Sequence, residues 1–292
     1  MEQVLTRAEP IGAKVMKREV DLKAIIAFSA VVLAAVVGVP LYGLTYGYTA
    51  LDWTLFGILY VVTGLGITVG YHRMISHRAF TCPAPVKVAL LIAGGWAFQN
   101  SAIKWCGDHL RHHAFTDQEQ DPYDARRGFW YSHCGWLMFK DPYADDKYYA
   151  PFRKDRWNVW QQKYYFPILI SGFIFPFLVG FASGGLKGGL GCFMLAGVGR
   201  VFLVLNSTFC INSLSHMWGD QPYGTKDTSR DNFWIAFITL GEGFHNYHHA
   251  YPRDYRNGVR WYHFDPSKWL IFILSKLGLA GQLVRAAQKS TA

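Results

Sequence analysis

Charge is absent from AIIAFSAVVLAAVVGVPLYGL, Ala24 to Leu44, and again from WTLFGILYVVTGLGITVG, Trp53 to Gly70. As helices, runs of this length reach across the hydrocarbon core of a bilayer, roughly 30 Å thick. Two more follow, Tyr164 to Phe181 and Gly188 to Phe209, the second carrying one charge, Arg200, near its middle. VKVALLIAGGWAF, Val86 to Phe98, is too short to span and predicts an interfacial or re-entrant helix. The stretches Asp117 to Lys163 and Trp218 to Asp231 are polar and aromatic, and with the C-terminal tail they are expected to cap the helix ends. Internal repeats are absent. The pattern therefore predicts an all-α integral membrane protein, one domain over residues 1–292, with four transmembrane helices at about 24–44, 53–70, 164–181 and 188–209. A charge inside a span is costly against lipid, so Arg200 is expected to face the bundle interior and pair with a carbonyl or carboxylate.

Composition reinforces this picture, since the chain is 51% hydrophobic and 17% aromatic. Were the four runs buried core helices, too little polar chain would remain to cover them. Charge then orients the molecule. With both termini on the cytoplasmic side, all of the 29 Lys and Arg except Lys187 and Arg200 fall on that face, as basic residues do in short-loop membrane proteins. The net charge of +9 is thus read as membrane-surface charge, with no nucleic-acid partner implied. Met1 to Lys23 is polar and mixed in charge, without the apolar core of a cleaved signal. The five cysteines form no C-x-x-C pair and are read as reduced and structural.

Histidine placement changes the picture most. All of the 11 histidines except His133, His216 and His263 fall into three short boxes: GYHRMISHRAF with His72 and His77, CGDHLRHHAFTD with His109, His112 and His113, and GEGFHNYHHAYP with His245, His248 and His249. Each box follows an even-numbered span, so all three emerge on one side. Neutral imidazole is the commonest metal ligand. In a helix the H-x-x-H-H spacing projects three side chains from one face, so each triad is expected to present its nitrogens to one point. Two triads plus a pair exceed the needs of one ion and argue for two metal ions held mostly by nitrogen. Glu242 and Asp108, close to ligands in the chain, are expected to hold the second ring nitrogen of an imidazole, with Asp121 a further candidate.

These boxes, with the flanking words AFQN, RRGFWYSHCGW and GEGFHNYHHAYP, resemble the membrane fatty-acid desaturases, specifically the acyl-CoA Δ9 group, from about Gly64 to Leu279. The resemblance implies a di-iron centre held by the box histidines, by a further histidine after the fourth span and, more loosely, by an asparagine four residues before it. NSLSH supplies these as Asn212 and His216. It implies O2-dependent conversion of a saturated acyl chain to a cis-monoene, and it places Trp105 and Thr208 at the bend of an acyl tunnel with Gln99 alongside. Removing hydrogen from an unactivated methylene needs an oxidant beyond acid or base side chains, so dioxygen at a metal agrees with it. His133 and His263 are read as structural.

A saturated chain has no polar handle at its reacting carbon, so a tunnel must set which carbon reacts. Tyr60 and Phe56 are the bulky candidates for its far end. Where the acyl-CoA group carries an arginine before the Asp of the second box and a basic pair after S-H-x-G-W, this chain has Gly107 and Phe139-Lys140. Lys140 is then the head-group contact left from that set, and CoA, an acyl carrier protein or a glycerolipid all stay open as carrier, with acyl-CoA ranked first. No cytochrome b5-like H-P-G-G segment stands in the sequence, so two electrons are expected from a separate donor of cytochrome b5 or ferredoxin type. A hydroxylase or acetylenase would use the same metal chemistry. A metal transporter would want polar residues buried along several spans, and apart from Arg200 the spans are apolar.

Overall fold

The computed structural model describes residues 18–287, and among these the backbone is helical, with isolated bridges and no strand. The first apolar run becomes α1 (Leu22–Tyr46), opened by Asp21, whose carboxylate accepts from Ala24 N at 3.0 Å. The second becomes α2 (Ala50–Ser76), opened by a capping box between Thr49 and Asp52. It runs beyond its predicted end, and its last turns, Gly66–Ser76, widen into a π-helix. Glycine is required there: a Cβ on Gly66 would lie 2.3 Å from Gly94 N, so α2 meets α3 (Ala84–Gly95) backbone to backbone. α3 is too short to span, as its length predicts, and it is packed, with Leu90, Leu91, Gly94 and Gly95 buried. Next comes α4 (Ala102–Phe115), N-capped by Ser101.

The third and fourth predicted spans are one helical run, α5 (Tyr165–His216), which folds back at Gly184 and Gly185. Gly185 takes φ 61°, open to glycine at little cost. The arms then pair antiparallel: a Cβ on Gly180 would meet Gly188 O at 2.3 Å, one on Gly189 the Phe177 ring at 2.8 Å, and one on Gly197 the Phe173 ring at 3.3 Å. Among the described residues, three helices rather than four are therefore long and apolar enough to cross a membrane. Hydropathy separates the two arms because Lys187 and the glycines dilute it, whereas the backbone between Tyr165 and Cys192 leaves helical φ/ψ at Gly184 and Gly185 alone. Arg200, on the returning arm, is fully buried and faces inward as predicted. Its Nε donates to Ala196 O at 3.1 Å, Nη2 to Gly172 O at 3.0 Å, and Nη1 to Trp96 O.

A large buried hydrophobic cluster lies where α2, α3 and α4 meet, around Val69, Tyr71, Leu91 and Ile103. α1 is peripheral: 6% of its most apolar window is buried, against 44% for α2, so its hydrophobic surface points away from the protein. Over the histidine-bearing ends of α2 and α5 lie α6 (Phe233–Ile238), α7 (His245–Ala250) and α8 (Pro266–Lys276). Thr68 bonds Ser267 at 2.7 Å, and Ser207 donates to Ile238 O at 3.0 Å. The expectations for residues 1–17 lie outside the described residues.

Candidate metal centre

An H-x-x-x-x-H spacing is awkward on an α-helix, where residues five apart point about 140° away from each other. The π-turns at the end of α2 remove the conflict. His77 N donates to His72 O at 3.1 Å, and the two rings come to a centroid distance of 4.8 Å. π-Turns of this kind often sit at functional sites. The other two boxes lie on α4 and α7, and His216 occupies the short turn Leu214–His216 at the end of α5.

The nine histidines converge into two groups, His72, His77, His109, His113 and His248 in one, and His112, His216, His245 and His249 in the other. Neither triad serves a single point, which corrects the expectation. The i and i+4 members of a box lie about 40° apart on the helix, while the i+3 member lies about 60° to the opposite side. Thus His109 and His113 join the first group and His112 the second, and with opposite assignment His245 and His249 join the second and His248 the first. The two helices exchange one histidine each, which ties the groups together.

Within a group the ring nitrogens face each other. Nε2–Nε2 distances are 3.0 Å for His72 and His248, 2.8 Å for His77 and His109, 3.2 Å for His245 and His216, and 3.1 Å for His249 and His245. On the outer side, His112 Nδ1 donates to Asp121 at 2.9 Å, His249 Nδ1 to Asp227 at 3.2 Å, and His216 Nδ1 contacts Thr228 Oγ1 at 2.9 Å. Glu242 stands 2.8 Å from His72 Nδ1, oblique to the ring N–H direction. A carboxylate only accepts, so Nδ1 carries the proton and Nε2 turns a lone pair inward. Lone pairs facing at such distances repel unless a cation lies between them. Two imidazole nitrogens bound at right angles, each about 2.1 Å from an ion, would stand about 3 Å apart. The residues present therefore fit two metal ions.

Electrostatics favour the ligating form. Burial, then the neighbouring imidazoles, holds His77, His109, His113, His245 and His248 well below the ordinary histidine range, so they are neutral at physiological pH. His112 goes the other way: burial opposes its charge, but Asp121, Asp227 and Asp117 outweigh it. Glu242 is held below the usual carboxylate range in spite of burial, because His72 and Arg73 oppose it.

Other candidate residues divide. Trp105, Thr208 and Asn212 line two adjoining cavities, a smaller one of about 50 Å³ touching His72, His109, His112 and His245, and a larger one of about 260 Å³ reaching Gln99, Trp136 and Phe28. Gln99 locks their junction, donating to Thr208 Oγ1 at 2.8 Å and accepting from Trp105 Nε1 at 3.1 Å. Tyr60 lines the smaller cavity, whereas Phe56 packs against the separate cluster of Leu55, Leu59, Cys192 and Ala196. Asp108 holds no imidazole; it lines the larger cavity, pairs with Lys104 and accepts from Tyr149 OH at 2.8 Å. Lys140 lines neither cavity and pairs in solvent with Glu19 at 2.9 Å. Gly107 is covered by the Tyr149 ring, which a Cβ there would meet at 2.1 Å. Sequence reasoning missed Asp227, Thr228 and Asp117, which lie in cap loops where no spacing links them to a histidine.

A family model described as fatty acid desaturase matches residues 49–272. The chain is 43% identical over 230 residues to a probable acyl-CoA desaturase of Schizosaccharomyces pombe, covering 77% of this chain and 47% of that protein. It is 39% identical over 271 residues to acyl-CoA desaturase 1 of Saccharomyces cerevisiae, covering 88% and 52%, and 37% identical over 248 residues to stearoyl-CoA desaturase of Homo sapiens, covering 82% and 69%. The chain thus spans about half the length of the two yeast proteins.

Proposed function

The chain belongs to the fatty acid desaturase family, and from that premise we propose that it converts a saturated acyl chain, acyl-CoA at the Δ9 position, to a cis-monoene. The reaction takes O2 and two electrons from a separate reduced protein of cytochrome b5 or ferredoxin type, and it releases water. The observation that carries this reading is the convergence of nine imidazoles beside two adjoining, mostly apolar cavities that share Trp105, His109 and Thr208. Two iron ions held by the histidine groups, with Asn212 nearby, would supply the O2 chemistry that an unactivated C–H bond requires.

The chain's own residues do the rest. Gln99 fixes Trp105 and Thr208 against each other where the two cavities adjoin, beside His109, so an acyl chain passing between them would present one stretch there. Tyr60, anchored through its hydroxyl to Ser207 at 2.7 Å and to Ile238 O, closes the inner end and sets chain length. Glu242, Asp121 and Asp227 hold protons on outer ring nitrogens so that the inner ones stay free to bind metal.

In the membrane, α1, α2 and the two arms of α5 make four crossings, with the metal centre, the cap and both ends of the chain on the cytoplasmic side. The concentration of basic residues there supports this orientation.

Expression in cells and gas chromatography of their lipids test the function. The expected result is a new cis-Δ9 monoene that disappears with His249→Ala and persists with His263→Ala, whose ring stacks on Phe244 away from both groups. A hydroxylated or acetylenic product would reassign the reaction; an unchanged lipid profile from metal-loaded protein supplied with reductant would refute it.

A further inference from the structure

Eight of the nine histidines belong to helices that orient them, or follow one within a single π-turn. His216 does not: it closes the short turn Leu214–His216 with which α5 ends, past the α-helical part that stops at Asn212, and has no i+4 partner. Its orientation rests on one outer contact, Nδ1 to Thr228 Oγ1 at 2.9 Å. A hydroxyl can either donate to a ring nitrogen or accept from it, so this contact alone leaves the tautomer open.

Asp117 closes that choice. Its carboxylate lies 2.7 Å from Thr228 Oγ1 and 2.6 Å from Thr228 N. A carboxylate only accepts, and threonine has one hydroxyl proton, which goes to Asp117. Thr228 Oγ1 can then only accept from His216, so the proton of His216 sits on Nδ1 and its Nε2 lone pair faces His245. Asp117 is itself held for this contact. Its backbone takes φ 61°, which aspartate tolerates better than most residues, and its N–H donates to Asp121 at 3.2 Å. Asp121 in turn holds His112, so loop residues 117–121 and 227–228 together clasp the outer side of the four-histidine group.

We propose that Asp117 is a positioning residue for metal binding, acting through the Thr228 hydroxyl to fix His216 in its Nδ1–H tautomer. This rests on the reading of the histidine groups as a two-ion centre. Asp117→Asn is the decisive change, because an amide can donate to Thr228 Oγ1 and so release the threonine proton toward His216. Thr228→Val removes the hydroxyl, and Thr228→Ser restores it.

The experiment measures iron per chain in the purified full-length protein, its release to a chelator, and histidine ¹⁵N shifts of the metal-free form. Wild type is expected to hold two ions and to show His216 protonated at Nδ1. Asp117→Asn and Thr228→Val are expected to release one ion at least tenfold faster, with mixed His216 tautomers and an unchanged melting temperature of the metal-free chain. Thr228→Ser should behave as wild type. Unchanged release in Asp117→Asn, failure of Thr228→Ser to rescue, or loss of both ions with a lowered melting temperature would overturn the proposal. Wild-type protein that binds fewer than two ions would instead refute the two-ion centre.

Discussion

Glu242 Oε2 stands 2.8 Å from His72 Nδ1 with both side chains almost fully buried, and the same carboxylate accepts from Arg73 Nη2 at 2.9 Å and Asn257 Nδ2 at 2.7 Å. Arg73 is held in turn by Asp265, at 3.0 Å. Every partner that Glu242 meets is a donor, which is why a charged carboxylate persists in this interior. Glu242→Gln must turn its NH2 toward either Arg73 or the His72 and Asn257 pair, leaving donors opposed. Metal affinity at the five-histidine position should fall about 10- to 100-fold, with the four-histidine position little changed. Iron per chain after graded chelator challenge checks this, and two ions retained as tightly as in wild type would show that His72 does not depend on Glu242.

How much of this was legible depended on whether the signal was periodic. Apolar runs announced α1, α2 and the arms of α5, because hydropathy needs no knowledge of neighbours. The histidine boxes likewise announced a buried histidine cluster that could hold metal. The division of the histidines into two groups was hidden: it depends on the offset of His112 and His248 from their i and i+4 neighbours and on how α4 and α7 face each other. Nothing in the spacing of His72 and His77 indicated that α2 would widen into π-turns to bring them together. Asp121 could be suspected from the sequence, whereas Asp227 and Thr228 become partners only when the cap loops close.

Tyr60 and Ser207 both line the smaller cavity, their hydroxyls 2.7 Å apart, so the Tyr60 ring forms part of its wall. Tyr60→Ala should lengthen the preferred acyl chain by a few carbons. Each added methylene accommodated in an apolar pocket is worth roughly 1–3 kcal/mol in discrimination. Tyr60→Phe should keep the wild-type profile, since it retains the ring. Competition between C16, C18 and C20 substrates measures the shift, and an unaltered profile in Tyr60→Ala would remove Tyr60 from the tunnel.

Asp231 offers a pH test. Burial pushes its carboxyl up to about 7, against the backbone N–H groups of Tyr247 and Asn246, which favour the charged form. The folded value lies above the unfolded one, so the native state binds a proton that the unfolded state has lost. Stability from this group is complete below the unfolded value of 3.8 and is lost as pH rises to about 7. Asp231→Asn should melt higher than wild type at pH 8, and the difference should shrink toward pH 5 with a limiting slope of about 1.4 kcal/mol per pH unit. A difference independent of pH would mean that Asp231 is ionised throughout.

The carrier is where the chain departs most from the group it resembles. An acyl-CoA head group carries several negative charges and calls for cations at the mouth of the cavity. Gly107 cannot take a side chain while Tyr149 covers it, Lys104 is paired with Asp108, and Lys140 is paired with Glu19. Of these, the Lys140 pair is the most exposed, 62% and 73% for the two side chains, so it is worth little and is readily broken. Lys140 is thus the cation most easily freed for a phosphate, at the cost of competing with Glu19. Lys140→Ala should raise the apparent KM for stearoyl-CoA, and Glu19→Gln should lower it by a few-fold, both effects fading as salt screens the mouth. Neither substitution should alter kcat, because neither residue lines the cavities beside the histidines. Reconstituted enzyme with a reductase system, given stearoyl-CoA, stearoyl carrier protein or stearoyl phospholipid in parallel, provides the measurement. Turnover of the phospholipid alone would reject acyl-CoA as the substrate, and an acyl-CoA KM indifferent to both substitutions would place the head group away from Lys140.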